Sequence, residues 1–336
     1  MKVRLIVDCR YGPPLRGTHR DRVVGVSKGK SRSRRSEQSM ETGTIPHTEL
    51  DGGINCYLTI ESGQTYRWTR SDGELYAGSR APEAWYELAI DGEVVRVRST
   101  DDGLEWESTT DAEPILRRRL RLDDDLPAIV ADAPDDTLVE DAYATHRGLR
   151  LVTDPPFDTL IAFICSAQMR VERINEMVTT LATEYGTQIE FDGRTYHDFP
   201  TPDQLAAATE SELRDLGLGY RAPYVVETAR MVADGEGHPA DARDLPYEEA
   251  REYLTRFVGV GEKVADCICL FALEFDEAVP LDTWIRKAIA TYYPDCDHGS
   301  YAKTSRAIRE RFGGTYAGYA QTYVFHHLRT GEATVD

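Results

Sequence analysis

The stretch that most restricts this chain is a four-residue turn, Val258-Gly259-Val260-Gly261, set between two helical patterns. Two glycines in four residues break regular structure on both sides. Beyond the turn, Val264, Cys267, Ile268 and Phe271 recur at helical spacing. The chain is thus predicted to run helix, tight hairpin (257–262), helix. Such a hairpin leaves the first amides of its second helix unpaired and outward-facing. With the helix dipole behind them, the amides around Gly259 and Gly261 suit an anion such as a phosphate. Lys263 stands in that first turn, where a cation faces the positive end of the dipole. It reads either as an amine nucleophile or as one lysine of a solvated face.

Lysine usage bears on that choice. From Met40 onward there are 3 lysines (Lys263, Lys287, Lys303) and 25 arginines. Arginine meets nearly every need for positive charge here, but it cannot be deprotonated and cannot act as an amine nucleophile. Asp282 follows the extended Val279-Pro280-Leu281 and precedes a helix expected over Thr283 to Tyr292. It reads as an N-cap. The same carboxylate, fixed and kept ionised by helix amides, is also suited to work beside an amine.

The run FVGVGEKVADCICLFAL, with AVPLD after it, resembles the helix-hairpin-helix, Gly-Pro-Asp (HhH-GPD) segment of the base-excision DNA glycosylases, and more narrowly the 8-oxoguanine DNA glycosylases. Similar stretches occur in family order: SGQTYRW (Ser62 to Trp68), DPPFDTLIAFICS (Asp154 to Ser166), LRDLGLGYRAPYV (Leu213 to Val225) and YAGYAQTYVF (Tyr316 to Phe325). The resemblance implies an α+β fold, with an N-terminal antiparallel sheet domain (40–148) followed by a two-subdomain helical glycosylase domain (149–332). It also implies a bifunctional glycosylase and AP lyase. Lys263 would attack the sugar and Asp282 would stabilise the charge that develops. Phe325 and Cys267 would sandwich the base, Gln321 would read its Watson–Crick edge, and the Gly63 carbonyl would accept the N7 hydrogen that marks 8-oxoguanine. Tyr220 would wedge into the duplex. Gln168, Arg173 and Arg221 would hold the opposite cytosine. Without the resemblance, Gln321, Phe325, Cys267 and Gly63 read as ordinary packing and turn residues.

The sequence departs from the family at two points. Gln168-Met169-Arg170 stands where the family has an asparagine-rich run, and Met169 cannot hydrogen-bond a base. Trp284 replaces a histidine near the lesion phosphate, and it donates one hydrogen bond but brings no charge. The implied partner is double-stranded DNA carrying 8-oxoguanine opposite cytosine, bound by a monomer with no cofactor. Two alternatives remain: an alkylpurine-type glycosylase, whose relatives generally lack the hairpin lysine, and a non-catalytic hairpin DNA-binding protein.

Charge is unevenly placed. Residues 1–39 hold 11 basic and 3 acidic residues (+8), whereas residues 40–336 hold 28 and 55 (−27). The basic segment lacks apolar periodicity and reads as a disordered extension. It is either a DNA-binding arm or, as the abrupt change at Met40 favours, an untranslated leader. Phosphate affinity normally comes from basic charge, so the acidic remainder reads as a halophile's salt adaptation. Six scattered cysteines without a C-x-x-C argue against a metal or iron–sulfur site and fit a reducing cytoplasm or nucleoid. No apolar run is long enough for a membrane span.

Along the rest of the chain, three Asp-Gly pairs (Asp72, Asp91, Asp102) are expected as hairpin turns of a meander over 54–110. Its first strand is expected at Cys56, Leu58 and Ile60. Asp154 is expected to cap a helix with Pro155 at its first position. Thr209 and Glu212 form an expected capping box, and Gly217 and Gly219 form a turn presenting Tyr220 and Arg221.

Overall fold

The computed structural model describes residues 40–78 and 84–331, so the expectations for 1–39 lie outside the described residues. Five strands form one antiparallel sheet: β1 (Glu41–Pro46), β2 (Thr69–Arg70), β3 (Tyr86–Ile90), β4 (Glu93–Ser99) and β5 (Gly103–Ser108), in the order β1-β5-β4-β3-β2. Asp91 and Gly92 join β3 to β4 with φ of 53° and 82°, the two positive values that a tight two-residue hairpin needs. Asp102-Gly103 leads into β5. Asp72-Gly73 also turns, but a connection of more than ten residues separates it from β3, so it is not a strand-to-strand hairpin.

Two further features differ from the sequence reading, at Cys56–Ile60 and at β1. Cys56, Leu58 and Ile60 do not form a strand; Cys56–Ile60 is a helical turn. Asn55 decides this, because its side chain accepts the Leu58 amide at 3.0 Å and caps the turn. Three alternating apolar residues over so short a span fit either period. The edge strand β1 was not expected. It pairs with β5 so that Gly43 lies opposite Trp106, and the indole lies across the glycine.

One face of the sheet packs Ile45, Leu88, Val95, Val97 and Leu104 against Ile60, Leu116 and Leu120. The other face receives a hairpin from the helical part of the chain, β6 (Gln188–Phe191) and β7 (Arg194–His197). Phe191 and Tyr196 meet Ala89 and Val94 there. Arg96 ties the two together through the Tyr196 hydroxyl (2.9 Å) and Asp192 (2.9 Å). A larger, separate core fills the helical region. The fold is therefore α+β, with helices following the sheet.

Within that region, Thr201/Gln204 and Thr209/Glu212 each close a capping box. Helix Pro156–Cys165 begins one residue later than expected, with Pro155 as its N-cap. Asp154 is instead buried, and its amide donates to the Phe271 carbonyl at 2.8 Å. That bond fastens the start of this helix to the second hairpin helix, Glu262–Ala272. Phe163 and Phe271 stack between the same two helices, with centroids 5.7 Å apart and rings 16° from parallel.

Gly43 supplies a test of the sheet. Alanine normally gains about 0.5–1 kcal/mol over glycine in a strand, but a Cβ here would overlap the Trp106 indole. Gly43→Ala is expected to cost about 1–3 kcal/mol from overpacking, read as a lower urea midpoint with an unchanged slope. A neutral or stabilising result would contradict this packing.

Candidate active site

Six residues singled out in the sequence line one cavity of about 60 Å³: Gly63, Lys263, Cys267, Asp282, Gln321 and Phe325. They come from four separate parts of the chain. Lys263 and Cys267 are one turn apart on helix Glu262–Ala272. Asp282 caps helix Thr283–Tyr292. Gln321 and Phe325 share a face of helix Ala317–Thr330. Gly63 lies in a loop with φ of 98°, and a Cβ there would press on Val171 Cγ1 at 3.2 Å. Only glycine fits that turn easily. Its loop is held from both sides. Gln64 donates to the Arg150 carbonyl (2.8 Å) and accepts the Val152 amide (3.1 Å), and Asn175 donates to the Tyr66 carbonyl (3.0 Å).

The Lys263 amine donates to Ser166 Oγ at 3.2 Å and lies 5.5 Å from the centre of the Phe163 ring. Among the described residues, no carboxylate lies within ion-pairing distance of it. Asp282 accepts the Ile285 amide at 2.8 Å, as an N-cap should. Burial nevertheless raises its proton affinity above that of an ordinary carboxylate, outweighing the Ile285 amide and the nearby Lys263 charge, which act the other way. The helix amides favour the ionised form as expected, but burial is the larger effect on this carboxyl. Burial also pushes the Cys267 thiol up to about 12, against the pull of Lys263, so the thiol is a neutral, polarisable wall rather than a second nucleophile.

A second cluster forms where loop Ser166–Arg170 meets the turn at Gly217–Arg221. Tyr220 is half exposed, its hydroxyl 3.3 Å from the Ala167 carbonyl. Arg221 lies in the expected turn, but its side chain is buried and donates to the same carbonyl. It fills the space beneath the Tyr220 ring, 4.3 Å from its centre. Arg173 donates to the Gly217 carbonyl at 3.2 Å and pairs with Glu176 at 2.7 Å. Gln168 has a φ of 55°, a left-handed conformation that few non-glycine residues adopt, and exposed Met169 follows it.

The hairpin joins the two clusters. Gly259 has a φ of 86°, and a Cβ there would meet Tyr224 at 2.9 Å. Gly261 has open space around it and is the N-cap of the lysine-bearing helix, without a side-chain cap. Thr228 donates to the Val258 carbonyl at 3.0 Å and braces the turn. Trp284 lies beyond Asp282 with the Lys287 ammonium 4.5 Å from its ring centre, so a positive charge does stand at this position, one helical turn further on.

The model for HhH-GPD superfamily base excision DNA repair proteins matches residues 161–313, and that for the N-terminal domain of 8-oxoguanine DNA glycosylase matches residues 45–160. The chain belongs to the 8-oxoguanine DNA glycosylase family of the HhH-GPD superfamily. It is 30% identical to an N-glycosylase/DNA lyase of Saccharomyces cerevisiae, over 79% of this chain and 81% of the relative. It is 32% identical to one of Arabidopsis thaliana, over 84% and 78%. The structure of Clostridium acetobutylicum 8-oxoguanine glycosylase/lyase with double-stranded DNA containing cytosine opposite 8-oxoG superimposes with a TM-score of 0.73 at 27% identity, covering 83% of this chain and 93% of that one.

Against this 8-oxoguanine glycosylase frame, sequence reasoning missed Ser166 and Phe163. Both lie in the FICS run used to identify the family, but only the fold shows them touching the amine. Asp282 supplies a test. A carboxyl whose folded proton affinity is raised contributes stability below its unfolded titration range and loses it as pH rises through the folded value. Asp282→Asn keeps the cap, since Asn and Asp cap equally well, and removes the buried charge. The variant should match the wild type near pH 4 and unfold at a progressively higher temperature than the wild type as pH rises toward about 8. A variant less stable than wild type at the upper end would contradict the electrostatics given above.

Proposed function

We propose that the protein excises 8-oxoguanine from duplex DNA and then nicks the strand, with Lys263 as the nucleophile. The observation that carries this reading is the Lys263 amine facing Asp282, Cys267, Gln321, Phe325 and Gly63 across one cavity. A non-catalytic hairpin protein has no use for that convergence, and the lysine also argues against an alkylpurine enzyme. The duplex would meet the protein in the cytoplasm or nucleoid. Among the described residues, no helix is long and apolar enough to cross a membrane.

The chemistry follows from the positions. A flipped base enters between Phe325 and Cys267, at an unstacking cost of a few kcal/mol. Guanine N7 is a hydrogen-bond acceptor and would oppose the Gly63 carbonyl, whereas 8-oxoguanine presents an N–H there. Freed of its proton, the Lys263 amine forms a bond to C1′ as the glycosidic bond breaks, and the base leaves as an anion that takes up the proton the amine has released. Asp282 stabilises positive charge on the sugar. Its raised proton affinity also suits it to take the proton that the amine gives up. The sugar ring opens to a Schiff base, and loss of a C2′ proton then expels the 3′ phosphate. Tyr220 would fill the space left by the base. Gln168, Arg173 and Arg221 would face the opposite cytosine, with Arg221 exchanging the Ala167 carbonyl for it. The amides at Gly259 and Gly261, with Trp284, would meet the backbone.

The test uses duplexes carrying 8-oxoguanine opposite each of the four bases. The wild-type protein should release the base and nick the strand, with cytosine opposite preferred. Borohydride should trap a covalent complex. Lys263→Gln should abolish trapping while lesion-duplex affinity is kept. Trapping at the wild-type level by that variant would exclude Lys263 as nucleophile.

A further inference from the structure

Asp266 is fully buried on the same helix as Lys263, one turn further on, and faces away from the cavity. One carboxylate oxygen accepts the Tyr247 hydroxyl at 2.7 Å and lies 3.8 Å from Arg251. The other accepts the Tyr301 hydroxyl at 2.7 Å. The Tyr301 oxygen in turn accepts the Leu281 amide at 3.1 Å. Leu281 is the residue before Asp282, and its carbonyl accepts Arg286 Nε at 3.2 Å. The residue leading into the catalytic carboxylate is therefore gripped at both its N–H and its C=O.

A buried carboxylate is an expensive way to fill core volume, since an apolar residue of similar size is often as stable or more so. Burial pushes Asp266 up to about 7 in spite of Arg251 and the two tyrosines, which pull the other way. What an apolar residue cannot do is orient a phenol. With its hydroxyl hydrogen committed to Asp266, Tyr301 has only lone pairs to offer, and one meets the Leu281 amide. The direction of that peptide is thereby referenced to the helix that carries Lys263.

We infer that Asp266 and Tyr301 form a positioning brace that sets the Asp282 carboxylate relative to the Lys263 amine during base excision. This rests on the assignment of those two residues as the catalytic pair. Tyr247 provides an internal comparison. It donates to the same carboxylate at the same distance, but its hydroxyl makes no hydrogen bond to the Asp282 segment. If the network served stability alone, losing either phenol would have similar consequences. If it positions Asp282, only the Tyr301 hydroxyl matters to the rate.

The experiment measures single-turnover excision, lesion-duplex affinity and unfolding midpoint for Tyr301→Phe, Tyr247→Phe, Asp266→Asn and Lys263→Gln. A misplacement of about 1 Å can cost on the order of 100-fold in rate, so Tyr301→Phe should slow excision by roughly 10- to 100-fold. Its affinity should stay near the wild-type value. Tyr247→Phe should leave the rate within about threefold of wild type, because it leaves that geometry in place. Asp266→Asn, which can no longer accept from both phenols, should show the same split of lost rate and kept affinity, and it serves if Tyr301→Phe does not fold. Near-wild-type excision by Tyr301→Phe, with Lys263→Gln inactive, would overturn the brace and leave the catalytic pair standing. Equal losses in Tyr301→Phe and Tyr247→Phe, or a loss of affinity in step with rate, would also overturn it. Full activity of Lys263→Gln would remove the catalytic assignment beneath it.

Discussion

Holding an amine and a carboxylate against one small, largely apolar cavity is the constraint on which the rest of this structure depends. The carboxylate loses hydration there, and it forms no direct ion pair with the amine in compensation. The cost is visible at Asp282, whose proton affinity rises despite a helix amide and a nearby cation. The surroundings must therefore hold the groups in place. Ser166 takes the amine, the Ile285 amide takes the carboxylate, and Phe163 and Phe271 fix the walls. An unfavourably buried charge held by satisfied packing around it is the pattern expected of a preorganised active site.

One short loop connects this site to the surface that would read the opposite strand. Ser166 ends the helix under the cavity and touches Lys263. Its neighbour Ala167 offers the carbonyl that both Tyr220 and Arg221 use. Gln168 then turns left-handed. Movement of Tyr220 or Arg221 would thus act on the residue next to Ser166. The Gly259 hairpin packs on Tyr224, whose ring lies 6.3 Å from that of Tyr220, so the hairpin and the Tyr220 turn are packed together.

Much of this was legible in the sequence because its determinants are local. The Gly-x-Gly hairpin, the Asp282 cap, the Thr209/Glu212 box and the Asp91-Gly92 turn each rest on residues a few positions apart. The convergence of Gly63, Gln321 and Phe325 on Lys263 spans most of the chain and came from family likeness, not periodicity. Other readings failed for physical reasons. Cys56–Ile60 is helical because Asn55 caps it, which alternation cannot reveal. Arg221 lies in its expected turn, but its side chain is buried because a backbone carbonyl far along the chain receives it. Strand β1 went unrecognised because its central Gly43 has low strand propensity and is accepted only beneath Trp106. Asp266 had no local mark at all. Its role depends on tyrosines 19 residues before it and 35 after it.

The most direct measurement is the location of the covalent bond. Lesion DNA would be trapped on the wild-type protein with borohydride, digested, and the adducted peptide sequenced by mass spectrometry. Of the three lysines after Met40, only Lys263 faces the cavity. The account predicts the sugar remnant on Lys263 alone. An adduct on Lys287, Lys303 or the chain's N-terminal amine, with Lys263 unmodified, would contradict it.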